Sequence, residues 1–325
     1  MNPPASPRVS VVMPAYQAAW SIGAAASSVL WQSYRDLELV VVDDGSTDRT
    51  AEIVEALEGP VRLIRQENQG VAAARNRGIE SATGELIAFC DADDLWFAEH
   101  LEALLGVYER AGGIATSNCY WLFPRGIHPS RTRYKGRFPA PGRQRQAILE
   151  QNFVSTMSLF PRSLVDSIGP FDESLRRAED WDFWLRAIYA GQRVSLQRQP
   201  LALYRWGATG LSSGWREMDA DIEVIFEGLE QRVELTEDER AYVGRRRAGP
   251  GPRVLGREGD AALREGSYRE AARAYAEAAQ LCPAERPLVW KARVLRAAPW
   301  LTGPLVRARQ LRIEDEMGIE EGHQR

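Results

Sequence analysis

The sequence predicts an α/β fold with a mostly parallel sheet carrying helices on both faces, followed by a small all-α extension. Three observations lead there. Short β-branched runs alternate with helical patterns over the first hundred residues. Those runs lack the polar alternation of a half-exposed strand, as parallel strands buried on both faces do. From Asp219 onward the chain turns to charged helix.

The elements follow in order. Val9 to Met13 is an apolar strand that stops at Pro14-Ala15-Tyr16, where proline removes a backbone donor. A helix follows with Ile22, Ala25, Val29 and Leu30 on one face. Leu37 to Val42 is the second strand. It runs into Asp43-Asp44-Gly45-Ser46-Thr47-Asp48, and a helix resumes near Thr50. Val61 to Ile64 is the third strand; a helix carrying Val71, Ala74, Arg75 and Ile79 comes next. Leu86 to Cys90 is the fourth. The pattern weakens between Glu109 and Gln151, where Arg125 to Arg145 reads as a long loop, and Phe153 to Phe160 reads as a further strand.

Length and composition set outer bounds. A chain of 325 residues holds one large domain or two smaller ones, and a hydrophobic share of 44% with 26% charged residues is that of a soluble globular protein. A net charge of -4 supplies no global basic field, so nucleic acid is not expected as main partner. Cys90, Cys119 and Cys282 are far apart and odd in number, which suits buried thiols in a reducing compartment. His100, His128 and His323 have no metal-ligand spacing. The first residues lack the apolar core of a signal peptide, and no run approaches the length of a membrane span. A cytoplasmic location is expected.

The chemistry concentrates where the fourth strand ends. Leu86 to Cys90 is followed by Asp91, Asp93 and Asp94, three carboxylates delivered to the open edge of a sheet. There they repel one another unless a cation or donor sits between them. Two acids at i and i+2 can converge on one divalent ion, with substrate phosphates completing its shell. The plainer alternative is an acidic turn with Asp94 capping a helix near Ala98. A dinucleotide-binding fold is excluded, because the turn after the first strand is Pro14-Ala15-Tyr16-Gln17, without glycine. A P-loop is absent too.

Four segments in sequence, Met13-Pro-Ala-Tyr16, Val40-Val-Val-Asp-Asp-Gly-Ser-Thr-Asp48, Asn68-Gln-Gly-Val-Ala-Ala-Ala-Arg-Asn76 and Phe89-Cys-Asp-Ala-Asp-Asp94, resemble the successive motifs of family 2 glycosyltransferases. These are inverting, nucleotide-sugar-dependent enzymes of the Rossmann-like GT-A fold. The resemblance covers roughly residues 8 to 213. It implies a catalytic domain over 1–215, divided into a nucleotide-sugar-binding half (8–110) and an acceptor half (111–215). Pro14, Ala15, Tyr16, Asp43, Asp44, Arg75, Asp91 and Ala92 would hold the nucleotide sugar, and Asp93 with Asp91 would hold Mn²⁺ or Mg²⁺. For Asp43 and Asp44 the alternative is a helix-capping turn, and for Arg75 a solvated helix arginine.

Ala178-Glu-Asp-Trp-Asp-Phe-Trp-Leu-Arg186 resembles the family's Glu-Asp motif, which makes Asp180 the expected general base. Asp182 would point to a different face of the helix, and the alternative for Asp180 is an N-cap. Leu201 to Ser213 resembles the closing segment, with Gly207 where many members carry His. Glu179, Trp184, Arg205 and Ser212 are the candidates for an acceptor or donor loop. Ala202 stands where processive members carry Gln, so single-sugar addition is expected.

Residues 216–255 read as a helical connector with a hinge at Arg245 to Pro252, and 256–325 as a tetratricopeptide-like helical hairpin with a basic tail. Pro299 and Pro304 are expected to break any long helix there. The tail could meet a protein, or the inner face of a membrane peripherally, but with those prolines an ordinary tail is the favoured reading. Together these features imply transfer of one sugar from a nucleotide-diphosphate donor to a carbohydrate or glycolipid hydroxyl, the usual setting being bacterial surface-polysaccharide synthesis. The rivals are a sugar-1-phosphate nucleotidyltransferase and a catalytically silent sugar-nucleotide scaffold.

Overall fold

A computed structural model describes residues 8–136, 138–206, 215–283, 285–297 and 299–317. Ser212, Ser213 and Gly207 lie outside the described residues. Strands β1 (Val9–Ala15), β2 (Leu37–Asp44), β3 (Val61–Gln66) and β4 (Leu86–Phe89) are parallel, in spatial order β3-β2-β1-β4. The sheet continues through β8 (Ser158–Pro161), β6 (Ile114–Phe123), β9 (Val194–Arg205) and β5 (Leu95–Trp96), with β7 (Gly126–Thr132) paired to β6. Beyond β4 the directions mix: β8 is antiparallel to β4 and β6, whereas β9 is parallel to β6.

Helices α1 (Ile22–Leu30), α2 (Thr50–Glu55), α3 (Val71–Ser81), α4 (His100–Ala111), α5 (Gln144–Glu150), α6 (Ser163–Ile168) and α7 (Glu179–Tyr189) connect the strands. Alternate side chains of the parallel strands serve the two faces. Val11, Met13, Leu39 and Val41 are buried with Ile22, Ala25 and Val29 of α1 on one side. Val40 and Val42 pack with Ala74 of α3 on the other. Such a strand has few polar positions to spare, which is why Val11–Met13 of β1 and Leu39–Val42 of β2 are unbroken apolar runs.

The structure departs from the sequence reading in four places. The strand expected over Phe153 to Phe160 forms only at Ser158–Pro161. Phe153, Val154 and Met157 are buried, but side chains satisfy their backbone neighbourhood: Val154 N donates to Asn152 Oδ1, Ser155 N to Thr116 Oγ1 and Met157 N to Ser155 Oγ. The expected loop Arg125 to Arg145 contains β7, and ten-residue β6 lies in the stretch where no strand was legible. Asp94 caps no helix; α4 starts after Glu99, and Asp94 Oδ1 instead accepts from Arg205 N at 2.9 Å. Finally, Pro299 begins a helix and Pro304 lies inside it.

The chain divides into two compact units. One comprises the described residues of 1–122, 127–145 and 152–205, the other those of 123–126, 146–151 and 206–325. In the second unit α8 (Trp215–Arg232), α9 (Glu237–Arg247), α10 (Pro252–Glu265), α11 (Tyr268–Leu281), α12 (Arg286–Ala297) and α13 (Pro299–Met317) follow one another. Thr236 starts α9 with a capping box to Glu239, and Asp219 ties Arg246 to Gly251 N at 2.9 and 2.8 Å. Leu263, Ala271, Tyr275, Ala278, Leu295 and Val306 form the core of α10 to α13. In α13 the interior Pro304 is tolerated, with Val306 buried in this core. Among the described residues no helix is long and apolar enough to cross a membrane.

Candidate active site

The loop after β1 and the loop after β2 are sewn together. Ala15 pairs with Asp43 across the two strand ends. Gln17 N donates to Ser46 Oγ at 2.9 Å, its side chain bonds Thr47 and the Asp48 N–H, and Ala19 N donates to Asp48 Oδ2. Asp48 Oδ1 in turn accepts from Thr50 N as α2 begins. Gly45 has φ +78°, and a Cβ there would lie 2.8 Å from Asn68 N, so only glycine fits. Pro14 and Ala15 are buried, and Tyr16 is exposed beside them.

Asp43 and Asp44 are both buried. Asp43 Oδ1 accepts from Ser46 N at 3.1 Å. Asp44 receives Gln69 N and Gln66 Nε2 on one oxygen and Gly70 N on the other, at 2.8 to 2.9 Å. It thereby satisfies N–H groups at the entry to α3 that have no intrahelical partner. The geometry matches the capping alternative for Asp44, whose oxygens are both spoken for inside the protein.

Arg75 is no solvated arginine. It projects from α3 into the interior, only 3% exposed, and its guanidinium lies 5.6 Å from the ring centroids of both Phe89 and Phe171. One amino group reaches Asp91 Oδ1 at 3.0 Å and the other Glu179 Oε1 at 2.6 Å. Burial works against its charge; Asp91, Glu179 and Asp180 outweigh that and raise its pKa. Acids from the loop after β4 and from α7, far apart in the chain, therefore surround one cation. Burial, helped by the neighbouring Asp180 charge, pushes the Glu179 carboxyl up to about 7 against the pull of Arg75.

The β4 loop is electrostatically unbalanced. Burial and the Asp91 charge push Asp93 up to about 6. Asp94 is fully buried and raised well above the carboxylate range by burial and by Asp91 and Asp93; its Oδ2 has no hydrogen-bond partner. Arg205 Nε donates to the Asp93 carbonyl at 3.0 Å, and its guanidinium lies 5.1 Å from the centroid of the exposed Trp20 ring. Ala92 is buried between the acids. Crowded carboxylates with an orphaned oxygen fit a hard divalent cation. Among the described residues no three His, Cys, Asp or Glu side chains are grouped so as to hold one, so water or substrate oxygens would supply most of its shell.

Asp180 sits in the first turn of α7, where the helix dipole favours an anion. It is not the N-cap. That position is Ala178, which adopts a left-handed φ of 56°, a strained setting for a residue with a Cβ. Asp180 Oδ2 accepts from Asn152 Nδ2 at 2.9 Å and Oδ1 from Trp181 N. Asp182 is turned away into an ion pair with Arg186 at 2.7 Å. Trp184, expected near a bound acceptor, is fully buried against Phe160 and Phe183 and belongs to the core. Asn152 and Phe171 had no signal in the sequence, since each meets its partner only through long-range folding.

Comparison with known proteins bears on this geometry. The model of the family described as glycosyl transferase family 2 matches residues 10–169. A UDP-Glc:alpha-D-GlcNAc-diphosphoundecaprenol beta-1,3-glucosyltransferase, WfgD of Escherichia coli, is 31% identical over 185 residues, covering 55% of this chain and 69% of that protein. The chain belongs to glycosyl transferase family 2. This family 2 glycosyltransferase is also 39% identical over 106 residues to an uncharacterised glycosyltransferase of Nostoc, spanning 31% of this chain and only a third (33%) of that relative's length. Solved structures share its GT-A fold at 20% identity. Residues 1–349 of S. aureus TarS in complex with UDP-GlcNAc superpose with a TM-score of 0.60 over 94% of this chain and 92% of that one. Mannosyltransferase PcManGT of Pyrobaculum calidifontis, in complex with GDP-Man and Mn²⁺, does so at 0.57 over 98% and 89%.

Proposed function

We propose that this glycosyltransferase moves a single sugar, with inversion, from a nucleotide-diphosphate donor to an acceptor hydroxyl, with Asp180 as general base. The observation that carries the reading is Arg75, whose one guanidinium draws together Asp91 of the β4 loop and Glu179 beside Asp180. Asp91 and Asp93 would hold Mn²⁺ or Mg²⁺, which when bound offsets the charge of the departing diphosphate. Every other task falls to side chains. Asp180 takes the acceptor proton as the hydroxyl oxygen attacks the anomeric carbon opposite the leaving group, so one carboxylate suffices where glycosidases need two. Asn152 pins one Asp180 oxygen and fixes the carboxylate plane. Arg75 keeps Asp91 and α7 in register, a positioning task, because its two terminal amino groups already reach Glu179 and Asp91.

Nucleotide-sugar complexes of structural neighbours support the donor class, and WfgD, whose name specifies a diphosphoundecaprenol-linked acceptor, supports bacterial polysaccharide or glycolipid synthesis as the setting. We further read α10 and α11 as a tetratricopeptide-like hairpin. The test is Asp180→Asn. Turnover should fall roughly 10²- to 10⁴-fold, the range of a general base, while titrated donor affinity stays within about twofold. Equal loss of both would remove Asp180 from the base role.

A further inference from the structure

Among the described residues three large apolar side chains on the outer face of α13 stay exposed. Its inner face is sealed: Gly303 lies against the Tyr268 ring so closely that a Cβ would overlap it. Val306 is 2% exposed in the α10–α13 core, and Thr302 Oγ1 donates to Val294 O at 3.0 Å. At 3.6 residues per turn the opposite face carries Trp300, Leu301 and Leu305. These are 73%, 61% and 72% exposed, more than ordinary scattered surface apolars on one short helical face. Arg307, Arg309 and Arg312 are exposed on the same helix, and the Arg309 guanidinium stands 4.4 Å from the centroid of the part-exposed Trp290 ring of α12.

Charge identifies what this face fits. From Arg286 to Ile313 the chain contains no Asp or Glu, although the protein as a whole has a net charge of -4. Arg293 and Arg296 of α12 add to the basic character and are exposed. An apolar face with tryptophan at one end and arginines along its flanks matches the boundary of a bilayer. There indole and leucine enter the headgroup region while guanidinium groups meet anionic lipid phosphates. A soluble protein partner would not require a stretch so free of carboxylates. We infer that α13, with the adjoining arginines of α12, docks the chain on the surface of an anionic phospholipid membrane, lying in the interface without crossing it. The inference is independent of the sugar-transfer reading, because binding is measured without donor or acceptor.

The test is flotation of the full chain with vesicles of neutral phosphatidylcholine, or of phosphatidylcholine with a quarter phosphatidylglycerol. The wild type should float with the anionic vesicles and only weakly with the neutral ones. The triple substitution W300S/L301S/L305S should cut partitioning at least about tenfold with an unchanged melting temperature, since all three side chains are exposed. The pair R307E/R309E should abolish the preference for anionic vesicles. The proposal is overturned if wild type stays at the bottom of the gradient, or if the triple variant floats as wild type does. It is equally overturned if wild type is dimeric and the triple variant is a monomer that still floats, which would assign the face to a second copy of the chain.

Discussion

Two loops of this protein look alike in sequence and differ in chemistry. After β2 and after β4 alike, an apolar strand ends in a cluster of aspartates. In the first loop the acids are consumed by the fold: Asp44 accepts three hydrogen bonds at the entry to α3, and Asp48 accepts from Ala19 N and Thr50 N. In the second, Asp93 is pushed up to about 6 by burial and Asp91, while Asp94 keeps an unpartnered buried oxygen. The lesson is that a carboxylate's position in a motif says less about its work than whether backbone N–H groups already own its oxygens. In these two loops the acid held by several protein donors serves the fold, and the one left in electrostatic surplus is available to a ligand.

Substitutions can break or sharpen that contrast. The largest effect is expected at Asp93→Asn. Turnover should fall by at least about 100-fold, since even partners once removed from a metal ligand are worth 10–100-fold. Thermal stability should hold or rise, because a crowded charge is removed; a matching loss of stability would place Asp93 among the structural acids. Next comes Asp44→Ala, which strands the Gln69 and Gly70 N–H groups and should cost about 2–4 kcal/mol in urea unfolding. Donor affinity measured well below the unfolding midpoint should change little. A large affinity loss with full stability would restore the nucleotide contact that the resemblance implies for Asp44.

The smallest effect concerns Glu179, whose carboxyl is raised to about 7, above an ordinary Glu. The native state therefore holds its proton more tightly than the unfolded chain does. The stability this contributes is complete below about pH 4.3 and is lost as pH rises through about 7. Comparing unfolding free energies of wild type and Glu179→Gln from pH 5 to 8 should show the wild type losing ground as pH rises. Parallel curves would show that Arg75 holds Glu179 ionised throughout.

The parallel half of the sheet was legible because β1, β2 and β4 carry no polar residue on either face beyond Ser10, Glu38 and the aspartates that end β2. β6 was not, because its centre is Thr116, Ser117 and Asn118, buried polar residues. Thr116 accepts from Ser155 N and Ser158 Oγ, and Asn118 donates to Arg198 O, contacts that no local pattern announces. The same applies at the site. The acids were visible as runs of Asp, but the Asn152 side chain that holds Asp180 lies 28 residues upstream in a stretch with no periodicity. Trp184 misled for the opposite reason. It lies close to Asp180 in sequence, yet the helix turns it into the core.

Arg75 carries a consequence for how such a chain can be divided. A fragment ending near residue 110 would keep β1 to β4 and the three aspartates after β4, but its buried guanidinium would lose Glu179 and Asp180 and keep Asp91 as a counter-charge. Such an isolated fragment is thus not a portable module: its cation is neutralised by residues a hundred positions later, and recombination across that point would have to exchange both sides of the charge balance at once.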